Sequence, residues 1–345
     1  MPLDPYFRDR LRTHRRYLAK KAWTDLTARF RPAQAAPAAS AVPGKPAKKP
    51  LTPRERHRRA ALNWDRMELR TAGLPGPDME TTEHTVPVDG YPDVRIRIYR
   101  PATAPTPAPA CLVIGGGAFR IGGIDYPTAD ASCRRRADRS GVVLVAVGYS
   151  LAPEHRYPTQ IEQAHAAWVW LHAHAAELGI DPARIGLNGA SAGGCLAASL
   201  TLLNRDRGTR QATLQILEVP VTDLTGRWID LRATYALGIP ALVALRELRS
   251  VARTYLGDRS RAREQYASPM RAASHAGLPP AVVLTAEYDP LRRDGATYAA
   301  TLRAAGVDAS ATRYLGVTHD TPLYVGALPA ARRWEDDVVA ALRRL

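Results

Sequence analysis

The pentapeptide Gly189-Ala190-Ser191-Ala192-Gly193 constrains this chain more than any other feature, because it lies where a short apolar strand (184–188) runs directly into an apolar helix (196–203). So tight a turn forces its central residue into a strained backbone conformation and pushes the hydroxyl into open space. Gly189 and Gly193 keep side chains away from the crossing of strand and helix. Ser191 is therefore the candidate nucleophile. A Gly-x-Ser-x-Gly string alone arises by chance in roughly one chain in ten of this length. The competing reading is a glycine-rich turn with an incidental serine, and the rest of the chain has to decide.

A serine hydroxyl needs a base to take its proton, a carboxylate to orient that base and donors for the oxyanion. On a strand–turn–helix of this kind they follow in the order Ser, Asp or Glu, His. Two histidines come after Ser191, His275 and His319. His275 precedes the last strands, whereas His319 follows an extended segment (310–315) into a polar loop, Gly316-Val317-Thr318. The acid belongs just past a buried strand between nucleophile and base. The apolar run 281–286 ends in Glu287-Tyr288-Asp289-Pro290, making Asp289 the better candidate and Glu287 its nearest rival. Taken alone, Asp289 before proline reads as a turn or helix-capping residue, and His319 as one of nine histidines. Oxyanion donors should include the amide of Ala192 and amides of a glycine-rich loop after an earlier core strand. Ala110–Ile114 reads as that strand, and Gly115-Gly116-Gly117-Ala118-Phe119 follows.

Four blocks of the chain, spread over roughly residues 84–325, resemble the hormone-sensitive lipase family of α/β-hydrolase fold esterases. Gly115-Gly116-Gly117-Ala118-Phe119-Arg120-Ile121-Gly122 resembles the family's H-G-G-G-[FW]-x-x-G loop. The run from Gly148 to Pro158 resembles its Y-R-L-A-P-E-H-x-[FY]-P segment, Gly189 to Gly194 its G-D-S-A-G-G elbow, and Thr285 to Leu291 its acid-bearing strand end. The resemblance implies an α/β fold with a mostly parallel eight-stranded sheet flanked by helices, a helical cap, no cofactor, and hydrolysis of carboxylic esters through an acyl-enzyme. Residue by residue it implies Ser191 as nucleophile, Asp289 as orienting acid, His319 as base, and the amides of Gly116, Gly117 and Ala192 as the oxyanion hole. If Phe119 is the family's aromatic, Ala118 takes the last glycine position and its amide replaces that of Gly116. Pro153-Glu154-His155 offers an acid beside a base, but in the family it is a structural turn.

Three departures stand out. The histidine before the family's glycines is absent, with Gly115 or Ile114 in its place, so the hydrogen bonds that stiffen this loop must come from elsewhere. Ala190 replaces the usual Asp or Thr beside the nucleophile. Asp320 replaces the glycine after the base, adding a carboxylate that raises the base's pKa.

The chain has 345 residues, and its 46% hydrophobic content can fill one large catalytic domain plus additions. The net charge of +15 is unevenly placed. Residues 1–59 hold sixteen Lys or Arg against four acids, which leaves +3 for the body. Phe7, Leu11, Leu18, Leu26 and Phe30 recur at one-face helical spacing opposite a basic face, predicting a basic amphipathic helix over 1–31. Residues 32–53 read as a Pro/Ala-rich linker. A second helix, 54–72, opens the N-terminal part of the cap (54–80). Residues 81–225 and 264–345 form the catalytic domain, and 226–263 a cap insert that sets substrate choice. Three readings of the first helix stand open: packing on the cap, weak contact with a membrane surface, and a nucleic-acid arm, the last without any accompanying fold motif.

Three scattered cysteines, Cys111, Cys133 and Cys195, suit reduced buried thiols, and no metal-binding motif occurs. With no apolar run of 18 residues and no signal-peptide core in the first thirty, the expected location is cytoplasmic. The partner expected is a small-molecule ester, with no nucleic acid and with a homodimer left open. The function expected is a serine carboxylesterase acting on small to medium acyl esters. The alternatives are a hydrolase-fold ligand-binding protein with little or no turnover, or an amide, lactone or acetyl-ester hydrolase.

Overall fold

The computed structural model describes residues 2–13 and 51–345. Leu18, Leu26 and Phe30 of the apolar face, and linker residues 32–50, lie outside the described residues. The body is built on eight strands: β1 (Glu80–Val88), β2 (Tyr91–Arg100), β3 (Ala108–Ile114), β4 (Val143–Gly148), β5 (Ile180–Ala190), β6 (Gln215–Glu218), β7 (Ala281–Tyr288) and β8 (Ala309–Thr318). They form one sheet in the order β1-β2-β4-β3-β5-β6-β7-β8. The β1–β2 and β2–β4 pairs are antiparallel and all the others parallel. This is the mostly parallel eight-stranded sheet expected from the sequence.

Parallel strands covered on both faces need apolar residues at successive positions rather than alternate ones, and β3, β4 and β6 have them. Alternation then assigns the faces. Leu112, Val143, Val145 and Leu187 pack with residues of α4 (Thr159–Ala173), α5 (Ala192–Asp206) and α8 (Arg292–Ala304), among them Trp168, Leu196, Leu200 and Tyr298. Cys111, Leu144, Ile216 and Leu284 face α3 (Pro127–Ser140) and α9 (Pro329–Leu342) through Ala137, Trp334 and Val338. All three cysteines are buried and free.

β8 runs on through Gly316, Val317 and Thr318, a stretch whose sequence suggests a polar loop. The pairing with β7 shifts register between Ala286 and Tyr288, so that Tyr288 meets Thr318, and Gly316 absorbs the irregularity with φ 75°.

Outside the sheet, α2 (Pro53–Thr71) begins at a capping box: Thr52 Oγ1 accepts from Glu55 N–H, and Glu55 accepts from Thr52 N–H. Between β6 and β7 the chain inserts α6 (Leu231–Ala236) and α7 (Ala241–Leu256). Residues 5–13 are helical (α1). Asp4 N–H donates to Gly316 O at 2.8 Å, Phe7 is buried against the Tyr324 ring, and Arg10 pairs with fully buried Glu68 of α2. This first segment therefore ties α2 to the chain around the end of β8.

Candidate active site

Ser191 sits between the end of β5 and the start of α5 with φ 53° and ψ −115°. Strand and helix meet so closely that only glycine fits beside it. A Cβ on Gly189 would lie 2.3 Å from Gly193 O, and one on Gly193 would lie 1.9 Å from Ile114 O. The strained serine is pinned by its own backbone: Ser191 N–H donates to Glu218 O at 2.8 Å, and Ser191 O accepts from Cys195 N–H at 3.1 Å.

Three side chains from distant stretches converge here. Ser191 Oγ lies 2.9 Å from His319 Nε2, and His319 Nδ1 lies 2.8 Å from Asp289 Oδ2. With Asp289 ionised, Nδ1–H donates to the carboxylate, which leaves Nε2 to accept the serine proton. Asp289 is fully buried, and its other oxygen accepts from Leu291 N–H at 2.8 Å. It is thus both the turn-capping residue that Asp-Pro suggested and the partner of the imidazole. Glu287, its rival, points elsewhere and accepts from Gly316 N–H at 2.6 Å, bracing the strand that leads to His319. His275 is buried with its Nε2 against Pro269 O, outside the cluster. Glu154 of the Pro-Glu-His turn pairs with Arg58.

The loop after β3 lies directly over the serine. A Cβ on Gly116 would be 3.3 Å from Ser191 Cβ, and Gly117, at φ 132°, has room for none because Ile121 O is 2.0 Å from that point. Among the described residues the amides of Gly116, Gly117 and Ala192 have no protein acceptor. They are free to donate to a ligand oxygen. The loop is left-handed at Ala118 (φ 52°) and Phe119 (φ 60°). Tyr149 O–H donates to Gly115 O at 3.0 Å, and Ala152 N–H to Phe119 O at 2.8 Å.

Comparison with known proteins bears on this geometry. A model of the alpha/beta hydrolase fold matches residues 111–323. Carboxylesterase NlhH of Mycobacterium tuberculosis is 34% identical over 282 residues, covering 80% of this chain and 86% of its own. The chain belongs to the hormone-sensitive lipase family of α/β-hydrolase fold esterases. Esterase LipI of the same organism is 36% identical over 251 residues, covering 72% of this chain and 77% of its own. Among solved structures, the metagenomic carboxylesterase EstE1 superposes with a TM-score of 0.77 at 36% identity over 85% of this chain and 97% of its own. A hyperthermophilic esterase from Pyrobaculum calidifontis gives 0.80 at 31% over 100% and 99%.

Electrostatics sharpen the picture of this hormone-sensitive lipase family member. Burial opposes a charge on His319, but the adjacent Asp289 carboxylate and its hydrogen bond outweigh it, and Asp320 adds to the effect, so the imidazole pKa is raised to about 9. Beneath the serine, sequence reasoning missed a buried polar anchor. Arg136 of α3 donates to both oxygens of Glu218 at 2.7 and 2.8 Å, Trp334 Nε1–H donates to the same carboxylate at 2.8 Å, and Asn188 Nδ2–H at 3.0 Å. A carboxylate closing the apolar strand Gln215–Glu218 was its one visible signal. Also missed was Asp294, which accepts from Thr222 and Asp223 N–H at 3.0 Å each and holds the loop after β6. Among the described residues there is no cluster of His, Cys, Asp and Glu able to hold a metal, and no helix long and apolar enough to cross a membrane.

Proposed function

We propose that this chain is a serine carboxylesterase acting on small to medium acyl esters through Ser191, His319 and Asp289. The observation that carries the reading is the pair of hydrogen bonds, 2.9 and 2.8 Å, joining a strained serine to an imidazole and the imidazole to a buried carboxylate. Family membership makes the bond class carboxylic ester, since the relatives are named carboxylesterases and esterases. His319 Nε2 takes the proton from Ser191 Oγ as the oxygen attacks the ester carbonyl, and Asp289 stabilises the resulting imidazolium. The tetrahedral oxyanion is held by the amides of Gly116, Gly117 and Ala192. Collapse expels the alcohol, which leaves with the proton held by His319. His319 then deprotonates a water that attacks the acyl-enzyme, and the acid departs as Ser191 regains its hydrogen.

In this reading, α2 with residues to 80 and the insert 226–263 make up a cap over the serine, and the ester's acyl and alcohol groups are selected there. The pairing of Arg10 with Glu68 of α2 supports packing on the cap for the described part of the first helix, and Phe7 packs on Tyr324 of the catalytic domain. Ser191→Ala is the direct test. Hydrolysis of p-nitrophenyl butyrate should fall to background, and a fluorophosphonate should label the parent protein stoichiometrically at Ser191. Turnover by Ser191→Ala equal to the parent's would refute the mechanism, and a parent protein that resists labelling would mark a ligand-binding protein instead.

A further inference from the structure

The loop that carries Gly116 and Gly117 has Gly115 or Ile114 where the family has a histidine, yet it holds Gly117, Ala118 and Phe119 in succession at positive φ. Backbone of this kind persists only when its surroundings determine it. Much of what surrounds it comes from the two helical pieces above the sheet. Arg120 sends its guanidinium up to α7, donating to the Glu247 carboxylate and, at 3.4 Å, to Ser250 Oγ. The carbonyl of Arg120 accepts from Arg58 Nε–H of α2 at 3.1 Å, and Arg58 also donates to Ala152 O at 3.1 Å and to Glu154 at 2.6 Å. Phe119, fully buried, stacks on Tyr255 of α7 with ring centroids 3.7 Å apart and planes 7° from parallel. Residues 119 and 120 thus grip α7 with both an aromatic face and a charge.

We propose that Arg120 is a positioning residue for the oxyanion site, acting through the backbone of Gly116 and Gly117. Its pairing with Glu247, backed by the Phe119–Tyr255 stack, makes alignment of those amides conditional on the seating of α7. The inference rests on the serine-esterase reading above. Oxyanion donors work only when they meet the developing charge at hydrogen-bond distance, and a displacement of about 1 Å costs on the order of a hundredfold in rate. The Glu247 side chain is 63% exposed and that of Arg120 22%. A pair so open to water adds little to overall stability and is screened by salt. Its loss therefore reads out in turnover rather than in folding.

The test uses the full-length protein with p-nitrophenyl butyrate, comparing Glu247→Gln, Arg120→Ala and the exchanged pair Arg120→Glu with Glu247→Arg, with Ser191→Ala run alongside. Each single change should lower kcat about twofold to fivefold, the most that a pair this exposed can shift the alignment of the loop. KM should stay within about threefold and Tm within about 2 °C. The exchanged pair should recover most of the loss. Raising NaCl from about 0.05 to 1 M should depress kcat of the parent but not of Glu247→Gln. Wild-type kcat in Glu247→Gln, a change confined to KM, a Tm that falls in step with kcat, or an exchanged pair no better than the single variants would each overturn the proposal. If Arg120→Ala fails to fold, Glu247→Gln decides, since its side chain is exposed. Full activity in Ser191→Ala would remove the esterase mechanism itself. An inactive Ser191→Ala beside fully active single variants would remove only the role of Arg120.

Discussion

Asp320 follows His319 directly, in the position where the family has glycine, and its exposed carboxylate adds to the pull that Asp289 exerts on the imidazole proton. Only neutral His319 can act as a base. With a pKa near 9, kcat/KM should climb with pH well past neutrality before levelling. Asp320→Asn removes one of the two carboxylates and should move the acidic limb of that profile down by roughly half a unit or more, raising activity at pH 7. An unshifted limb in a pH–rate series would exclude Asp320 from the effect. The same shift bears on stability. A histidine whose folded pKa lies above its ordinary 6.5 contributes stability that is complete below about 6.5 and lost as pH rises through about 9. The identities of Ser191, Asp289 and His319 were legible in the sequence because each follows a strand of its own, and chain order did the rest. Glu287 and Asp289 end the same strand, and only the fold shows that one turns toward Gly316 and the other toward the imidazole. Asp294 was not legible, since an acid at the start of a helix reads as a cap. Its burial raises its pKa to about 7.

At the level of elements, β6 is tied to helices on one face of the sheet through a charge no periodicity reveals. Arg136 and Glu218 are both largely buried, and the bidentate pair is completed by Trp334 and Asn188. Arg136→Met would keep the volume but leave Glu218 ionised without its partner, which costs about 3–5 kcal/mol. Urea unfolding followed by circular dichroism should show that loss, and an unchanged midpoint would mean the carboxylate finds another cation. The strands β3, β4, β5 and β7 could be read from their apolar runs, because burial on both faces leaves no room for polar alternation. β6 spans only four residues, Gln215–Glu218, too few to show a pattern. β1 is an edge strand whose first half is mostly exposed, so its sequence, Glu80–Val88, carries little apolar signal.

Across the whole molecule, most of the net positive charge belongs to the first 59 residues, and the described start of that stretch is packed rather than free. Arg10 lies over the Tyr324 ring at 4.9 Å and pairs with Glu68, which is fully buried. Arg10→Ala leaves that carboxylate without its cation. Because the arginine is one-third exposed, we expect a cost of about 2–3 kcal/mol, below that of a fully enclosed pair. Thermal unfolding should report it as a drop of several degrees, and a Tm equal to the parent's would show that residues 2–13 dock without energetic consequence. Composition located this charge correctly but could not show which cation finds a buried acid, because Arg10 and Glu68 are 58 positions apart. The hydrogen bond from Ser191 N–H to Glu218 O has a last implication. The residue whose carbonyl pins Ser191 is also the residue whose side chain bolts the sheet to two helices. A disturbance at the Glu218 carboxylate should therefore reach the turn that presents Ser191 through a single residue, without passing through the rest of the site.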